Sequence, residues 1–168
     1  MEQNILPAQG ITNYAQSLEI AIEREIKAVY MYQAIAKHTS SPQTKTKLLF
    51  LAEEEKNHRE NLEDLYKKIA GKSKNFEESV FFPDDTSAAN IAKLEITDIL
   101  EVAIEKEEEA YHFYNKMAEQ AQEDSLKDLF NYLAEEELTH KRMMELELKL
   151  YTGATPLSRS VESIPGVY

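Results

Sequence analysis

The sequence predicts an all-α protein, a four-helix bundle built from two copies of one helical hairpin. Two observations predict this fold. Long stretches without Gly or Pro have apolar residues at helical spacing, and one half of the chain repeats the other. Residues 18–68 align on residues 100–150 without a gap, and 18 of the 51 aligned positions are identical. Two such hairpins packed face to face would bury the apolar sides of both.

The first hairpin is predicted from helix-capping residues. A capping box that begins at Asn13 predicts a first helix over about 14–39. Ser41 is a candidate N-cap, and Pro42 suits the first turn of a second helix over about 42–70. The joint between these two helices is short, so we expect them to pack as antiparallel neighbours.

The second hairpin is predicted in the same way. A capping box that begins at Asp98 predicts a third helix over about 98–122. A fourth helix is predicted over about 125–151, with Gly153 just past its end. The helical bundle is therefore expected to occupy residues 1–151, and residues 152–168 to form a C-terminal tail.

The connection between the second and third helices is long. It has about 25 residues, begins at Gly71, and includes a candidate short helix around Ser87–Leu94. A segment of this length can return along the whole bundle, which would make the second and third helices parallel. The connection also leaves open an exchange of helices between two chains.

The composition excludes several classes of function. The chain has no Cys, which excludes disulfides, thiolate metal sites and cysteine nucleophiles. Its net charge of -12 provides no basic surface, so we expect neither nucleic acid nor membrane as a partner. The sequence contains no run of about 18 apolar residues and no start typical of a signal peptide. We therefore expect a soluble, cytoplasmic protein.

Six ionisable residues fall within the apolar faces of the predicted helices. At about 100° per residue, a Glu lies at the centre of the first face and of the third, and a Glu-x-x-His motif lies on each of the others. These residues are Glu25, Glu55, His58, Glu107, Glu137 and His140. Unpaired buried charges are costly, whereas two divalent cations would balance four carboxylates. The sequence therefore predicts a two-metal site whose oxygen and imidazole ligands suit Fe(II), Mn(II) or Zn(II).

Other polar residues on these helices have alternative interpretations. Tyr32 and Tyr114 each follow a candidate ligand by seven residues on the same face, so they are candidates to donate hydrogen bonds to site carboxylates, with simple packing as the alternative. Glu54 and Glu136 precede the motif Glu residues and could orient the opposite helix's His, although a solvated face explains them equally well. The remaining two histidines are expected at the surface; they are His38 and His112.

At these residues the sequence resembles the ferritin-like di-iron carboxylate superfamily, and within it the rubrerythrin-like branch, over about residues 12–151. The matching motifs are two Glu residues that each have a Tyr seven positions later, and the two Glu-x-x-His motifs. The resemblance implies two irons bridged by Glu55 and Glu137. It also implies terminal carboxylate ligands and one His for each iron. The terminal ligands are Glu25 and Glu107, and the histidines are His58 and His140.

The sequence departs from the rubrerythrin pattern at two points. Rubrerythrins have a rubredoxin domain with a four-cysteine iron site, and this chain has no Cys. They also have an additional Glu three residues after the third-helix ligand, where this chain has Ala110. The predicted site is therefore closer to the symmetric six-ligand centre of bacterioferritin.

The resemblance implies an oxidoreductase in which Fe(II) reduces hydrogen peroxide or dioxygen and a separate electron donor restores Fe(II). The six predicted ligands would act through the metal centre, with Mn or Zn as substitute metals. A ferroxidase linked to iron storage or delivery is the first alternative, and a bundle that its metal merely stabilises is the second. By analogy we expect a homodimer.

Overall fold

Over residues 8–77 and 95–153 the protein is an all-α bundle of four long helices. The computed structural model describes residues 8–77 and 95–153, with side chains from residue 14 onward. The helices are α1 (Ala8–His38), α2 (Pro42–Ala70), α3 (Ile96–Gln120) and α4 (Asp124–Thr152). Within these two described ranges there is no strand, so the predicted fold class is confirmed.

Local sequence explains several helix ends. The Ser41 side chain accepts a hydrogen bond from the Thr44 amide at 3.2 Å and caps α2, and Pro42 occupies its first turn. Gly71 and Gly153 end α2 and α4 in the left-handed conformation, with φ of 68° and 62°, which favours glycine.

The two predicted capping boxes are wrong. Helix α1 begins at Ala8, so Asn13 lies inside the helix. Helix α3 begins at Ile96 after Glu95, whose side chain makes no capping hydrogen bond, and Asp98 lies in the first turn. A capping side chain favours a helix start but does not prevent an extra turn before it, and an acidic residue in the first turn also interacts favourably with the helix dipole.

Two hairpins form the bundle, α1 with α2 and α3 with α4, and across them α1 packs against α3 and α2 against α4. The Tyr14 hydroxyl donates to the Gln120 carbonyl at 2.8 Å, which places the start of α1 beside the end of α3. Thr44 donates a hydrogen bond to Glu147, which places the start of α2 beside the end of α4. Helices α2 and α3 therefore run parallel.

The two ends of the connection between α2 and α3 lie at opposite ends of the bundle. Phe76, which follows α2, packs on Tyr66 at one end, whereas Ile99 at the start of α3 belongs to the core of the other end. This placement agrees with the predicted crossover. The candidate short helix over 87–94 and the tail residues 154–168 lie outside the described residues.

The core of the described residues consists of two apolar clusters. Each helix contributes residues to one cluster towards its start and to the other towards its end. The first cluster comprises Leu18, Ala21, Ile22, Ile26, Leu62, Tyr66, Phe76, Tyr114, Met117, Ala118, Leu126, Phe130, Leu133 and Ala134. The second comprises Met31, Tyr32, Ile35, Ala36, Leu48, Leu51, Ala52, Ile99, Leu100, Ala103 and Met144. The six predicted ligands lie along the helices between these clusters.

A buried polar contact that the sequence analysis did not predict joins the hairpins at one end. Glu147 on α4 is only 2% exposed. It accepts a hydrogen bond from Thr44, and its other carboxylate oxygen lies 2.6 Å from the Lys47 ammonium. These partners satisfy a buried charge and hold α2 against α4.

No helix in the described part of the chain is long and apolar enough to cross a bilayer.

Candidate metal centre

The structure brings all six predicted ligands together at the middle of the bundle. They form two groups, and within each group one potential ligand atom per residue lies within 4.8 Å of all the others. The first group is Glu25, Glu55, His58 and Glu137, and the second is Glu55, Glu107, Glu137 and His140. Glu55 and Glu137 belong to both groups, so each can contribute to two adjacent positions.

The six side chains are buried, with exposures between 0% and 3%. Each helix supplies its ligand candidates from the stripe that faces the bundle axis, as their position within the apolar periodicity predicts. The other two histidines, His38 and His112, are exposed.

Hydrogen bonds organise the centre around Glu55. Its two carboxylate oxygens lie 2.8 Å from His140 Nδ1 and 3.2 Å from His58 Nδ1. The two imidazole rings stack with centroids 5.7 Å apart and planes 18° apart. Glu137 Oε1, in contrast, is a buried polar atom without a hydrogen-bond partner. A buried polar atom of this kind usually has a functional reason, and a metal ion would supply its missing partner.

Two tyrosines connect the centre across the hairpins. The Tyr32 hydroxyl on α1 donates to Glu107 Oε1 on α3 at 2.6 Å. Reciprocally, the Tyr114 hydroxyl on α3 donates to Glu25 Oε1 on α1. Both tyrosines are fully buried. Each bond fixes the orientation of one carboxylate. Glu25 and Glu107, which each belong to only one of the two groups, are therefore both oriented by a tyrosine of the opposite hairpin.

Burial and mutual repulsion disfavour negative charge on two of the carboxyl groups. Burial raises the pKa of Glu25 well above its usual value, and the charges of Glu137 and Glu55 raise it further. Burial likewise raises the pKa of Glu107, with additional repulsion from Glu55 and Glu137. In the metal-free protein both groups therefore favour the protonated form more than an exposed Glu does.

The central carboxylate and the imidazoles shift in the opposite sense. Burial opposes ionisation of Glu55, but hydrogen bonds from His140 and His58 outweigh it and lower its pKa to about 2. Burial opposes protonation of His58, but the neighbouring carboxylates of Glu137, whose Oε1 lies 3.7 Å from Nδ1, and of Glu55 outweigh this effect and raise its pKa to about 10. The pKa of His140 is raised mainly by its bond to Glu55, against the effect of burial.

The donor set fits two divalent cations. In the metal-free protein, protons and imidazolium charges compensate the buried carboxylates. Four carboxylates and two neutral imidazoles would instead balance the four positive charges of two such cations. The chain has no Cys and therefore no thiolate ligand, and oxygen and imidazole ligands are compatible with two irons.

We expect opposite pH dependences for the metal-free and metal-loaded protein. A group whose pKa is raised by folding binds more protons in the folded than in the unfolded protein, so stability falls as pH rises from the unfolded pKa through the folded pKa. Glu25, Glu107, His58 and His140 all shift this way, so stability in chelator should fall between pH 6.5 and 8.5. Metal binding displaces these protons, so the stability gained from added Mn(II) should grow over the same interval. Guanidinium unfolding midpoints would measure both slopes, and parallel slopes would contradict the site.

The cross-hairpin hydrogen bonds should contribute to both stability and metal affinity. Tyr32→Phe and Tyr114→Phe should each lower the unfolding free energy by about 1–2 kcal/mol, because a buried acceptor loses its donor. Each should also weaken metal binding by about 10–100-fold. Denaturant unfolding in chelator and competitive metal titration would measure the two effects. Tyr111→Phe is the matched control, since no described hydrogen bond involves the Tyr111 hydroxyl, and an equal effect there would contradict the role of the bonds.

Glu54 and Glu136, which could have oriented the histidines, are half-buried, and within the described residues no hydrogen bond joins either to a histidine.

Tyr132 makes a contact that the sequence did not predict. Its ring packs edge-to-face with His58, with centroids 6.4 Å apart and planes at 84°. The sequence gives no signal for this contact beyond the position of Tyr132 eight residues before His140, because the contact depends on how α2 packs against α4.

A buried site of four Glu and two His at the middle of two packed hairpins defines the ferritin-like class of carboxylate bundles. The comparison with known families is more specific. A sequence model of the rubrerythrin family matches residues 16–148, and the chain belongs to this family of di-iron carboxylate proteins.

A solved structure supports the same fold. The chain is similar to a hypothetical protein from Pyrococcus furiosus, with 30% sequence identity and a TM-score of 0.70. The match covers 83% of this chain and 90% of that one. No curated protein matches the sequence.

Proposed function

We propose that this protein is a di-iron oxidoreductase that reduces hydrogen peroxide or dioxygen with Fe(II). The observation that supports this proposal is the pair of ligand groups that share Glu55 and Glu137. Glu25 and His58 would complete one iron position, and Glu107 and His140 the other. With two irons bound there, each would supply one electron to the O–O bond, and the two charges would stabilise the negative charge that develops on its oxygens.

The residues around the centre prepare it for this chemistry. Burial of all six ligands excludes bulk water, which strengthens the electrostatic interactions inside the site. Tyr32 and Tyr114 hold one oxygen each of Glu107 and Glu25, so these carboxylates keep a fixed orientation. Reduction of one hydrogen peroxide to two waters consumes two protons and two electrons. A separate donor must therefore return two electrons for each turnover.

The test is an anaerobic titration of the metal-free protein with Fe(II), followed by stopped-flow mixing with hydrogen peroxide or with dioxygen. The near-ultraviolet absorbance of the oxidised iron would be followed. We expect saturation at two irons per chain and faster oxidation by peroxide. Failure to bind two irons would contradict the site.

A ferroxidase that serves iron storage or delivery is the second candidate. The ligands that belong to one group only form a symmetric set, with one Glu and one His in each group. In addition, position 110 is Ala rather than an additional Glu. It requires faster reaction with dioxygen and iron uptake beyond two atoms per chain. Molar mass in solution separates the two further. A peroxide-reducing homodimer, which we propose, has two chains, whereas iron storage requires a large shell.

A further inference from the structure

The seam between α2 and α4 has a feature that the proposed chemistry does not use. Tyr132 is 53% exposed, yet its ring edge packs against His58, which stacks on His140. An exposed aromatic ring thus contacts the imidazole pair of a buried centre.

Acidic side chains flank this ring. Glu136 follows Tyr132 by one turn of α4, and Glu54 precedes His58, which contacts the ring, by one turn of α2. Partial burial raises the pKa of the Tyr132 hydroxyl, and the negative charges of Glu136 and Glu54 raise it further. Phe50 lies one turn before Glu54 on the same strip of α2 and is 54% exposed.

These four residues, Phe50, Glu54, Tyr132 and Glu136, define the seam patch. The contacts of Thr44 with Glu147 and of His58 with Tyr132 set the register of the antiparallel helices α2 and α4, so Glu54 and Glu136 lie between the levels of the two exposed rings. The two central carboxylates and the net charge of -12 favour a positively charged partner. Interfaces between electron-transfer proteins are small, so a patch of a few residues is sufficient.

We propose that the seam patch is the docking surface for a small, positively charged one-electron carrier protein, which returns electrons to the metal centre past Tyr132 and His58. The inference rests on the proposed di-iron function. Each docking oxidises one carrier by one electron. Two docking events supply the two electrons that reduction of one hydrogen peroxide consumes, so the electrons balance.

The first test maps docking without any redox reaction. The probe is an oxidised basic c-type cytochrome, added to isotope-labelled protein loaded with Zn(II), and amide chemical shifts and line widths are recorded. We expect the largest changes around positions 50–54 and 132–136, and we expect them to vanish at high salt. Changes centred on another face, or no binding at low salt, would overturn the proposal.

The second test measures re-reduction of the peroxide-oxidised, iron-loaded protein by the reduced cytochrome, followed by haem absorbance in stopped flow. Each rate is divided by the rate with dithionite, because a variant that disturbs the centre itself slows both reactions. Glu54→Gln with Glu136→Gln should slow the cytochrome reaction about tenfold at low salt. The matched control is Glu101→Gln with Glu105→Gln, which removes two exposed charges from α3.

Substitutions at Tyr132 separate the ring from its hydroxyl. Tyr132→Ala should slow the normalised rate about tenfold, whereas Tyr132→Phe, which keeps the ring against His58, should stay within about twofold. Normalised rates equal to wild type in the alanine and charge variants would overturn the docking proposal. Failure of wild-type Fe(II) to be oxidised by peroxide or dioxygen would overturn the proposed function instead, and the Zn(II) mapping would still decide where the carrier docks.

Discussion

Glu107→Gln should stabilise the metal-free protein and remove one of its two metal positions. The pKa of Glu107 is raised by burial and by the charges of Glu55 and Glu137, so folding at neutral pH forces an unfavourable proton uptake. Gln has the shape of the protonated carboxyl group and can still accept the hydrogen bond from Tyr32. We expect the unfolding free energy in chelator to rise by about 1–3 kcal/mol.

The same substitution should weaken metal binding in only one group. Glu107 belongs to the group with His140 and not to the group with His58. The affinity for the metal ion next to Glu107 should fall by more than roughly 10–100-fold, which is the usual effect of losing a residue that only hydrogen-bonds to a metal ligand. Titration with Fe(II) or Zn(II) should then saturate at one tight metal per chain instead of two.

The pH dependence of the stability gained from Glu107→Gln provides an internal check. A raised carboxyl pKa costs no stability below the unfolded pKa, so the gain from Glu107→Gln should shrink as pH falls toward about 4.5. Denaturant unfolding in chelator at several pH values would measure this. Glu105→Gln is the control, since Glu105 is exposed on the same helix. A destabilised metal-free Glu107→Gln protein, or one that still binds two metals tightly, would contradict the assignment.

A structural role for the metal makes a different prediction. If the ions merely stabilise the bundle, the metal-free wild type should be poorly folded and Glu107→Gln should not improve it. The opposite signs expected for stability and metal binding are typical of functional sites, where buried charges are kept at a cost to stability. Following stability and metal binding separately therefore distinguishes the two alternatives.

The sequence predicted the positions of the six ligand candidates because each signal was both periodic and repeated. Glu25 and Glu107 interrupt apolar stripes at the same place in two aligned repeats, which a solvated face would not explain. A single helical period fixes which residues share a face. It does not fix how two faces meet, and this limit accounts for what the sequence did not predict.

Glu147 illustrates that limit. It lies ten residues after Glu137, about 80° around the helix, at the edge of the buried stripe, where periodicity alone does not decide burial. Its burial depends on Thr44 and Lys47, about 100 residues earlier in the chain. The contact of Tyr132 with His58 depends in the same way on the packing of α2 against α4.

The capping boxes failed for a related reason. Asn13 matches a local motif, but its motif competes with continuation of the helix through Ala8, and the chain has no Pro between these positions. The prediction that Ser41 caps α2 was correct because Pro42 follows it and favours the first helical turn. A start signal is thus decisive when the neighbouring residues also oppose the alternative.

Phe130→Ala should cause the largest loss of stability among the variants considered, about 3–5 kcal/mol, because it removes a fully buried aromatic side chain and leaves a cavity. The Phe130 ring stacks on Tyr114, with centroids 6.4 Å apart and planes 16° apart. Tyr114 in turn donates to Glu25, so the cavity also loosens a carboxylate of the metal centre.

The internal repeat supplies a matched control for this substitution. Leu48 occupies the equivalent position in the first hairpin, where it is fully buried in the same cluster as Tyr32. Phe130→Leu should therefore cost less than about 1.5 kcal/mol, because it keeps most of the apolar volume. Denaturant unfolding in chelator would compare the two variants, and metal titration would report on Glu25. Equal costs for Ala and Leu would show that the contact of Phe130 with Tyr114, rather than filled volume, stabilises this end of the bundle.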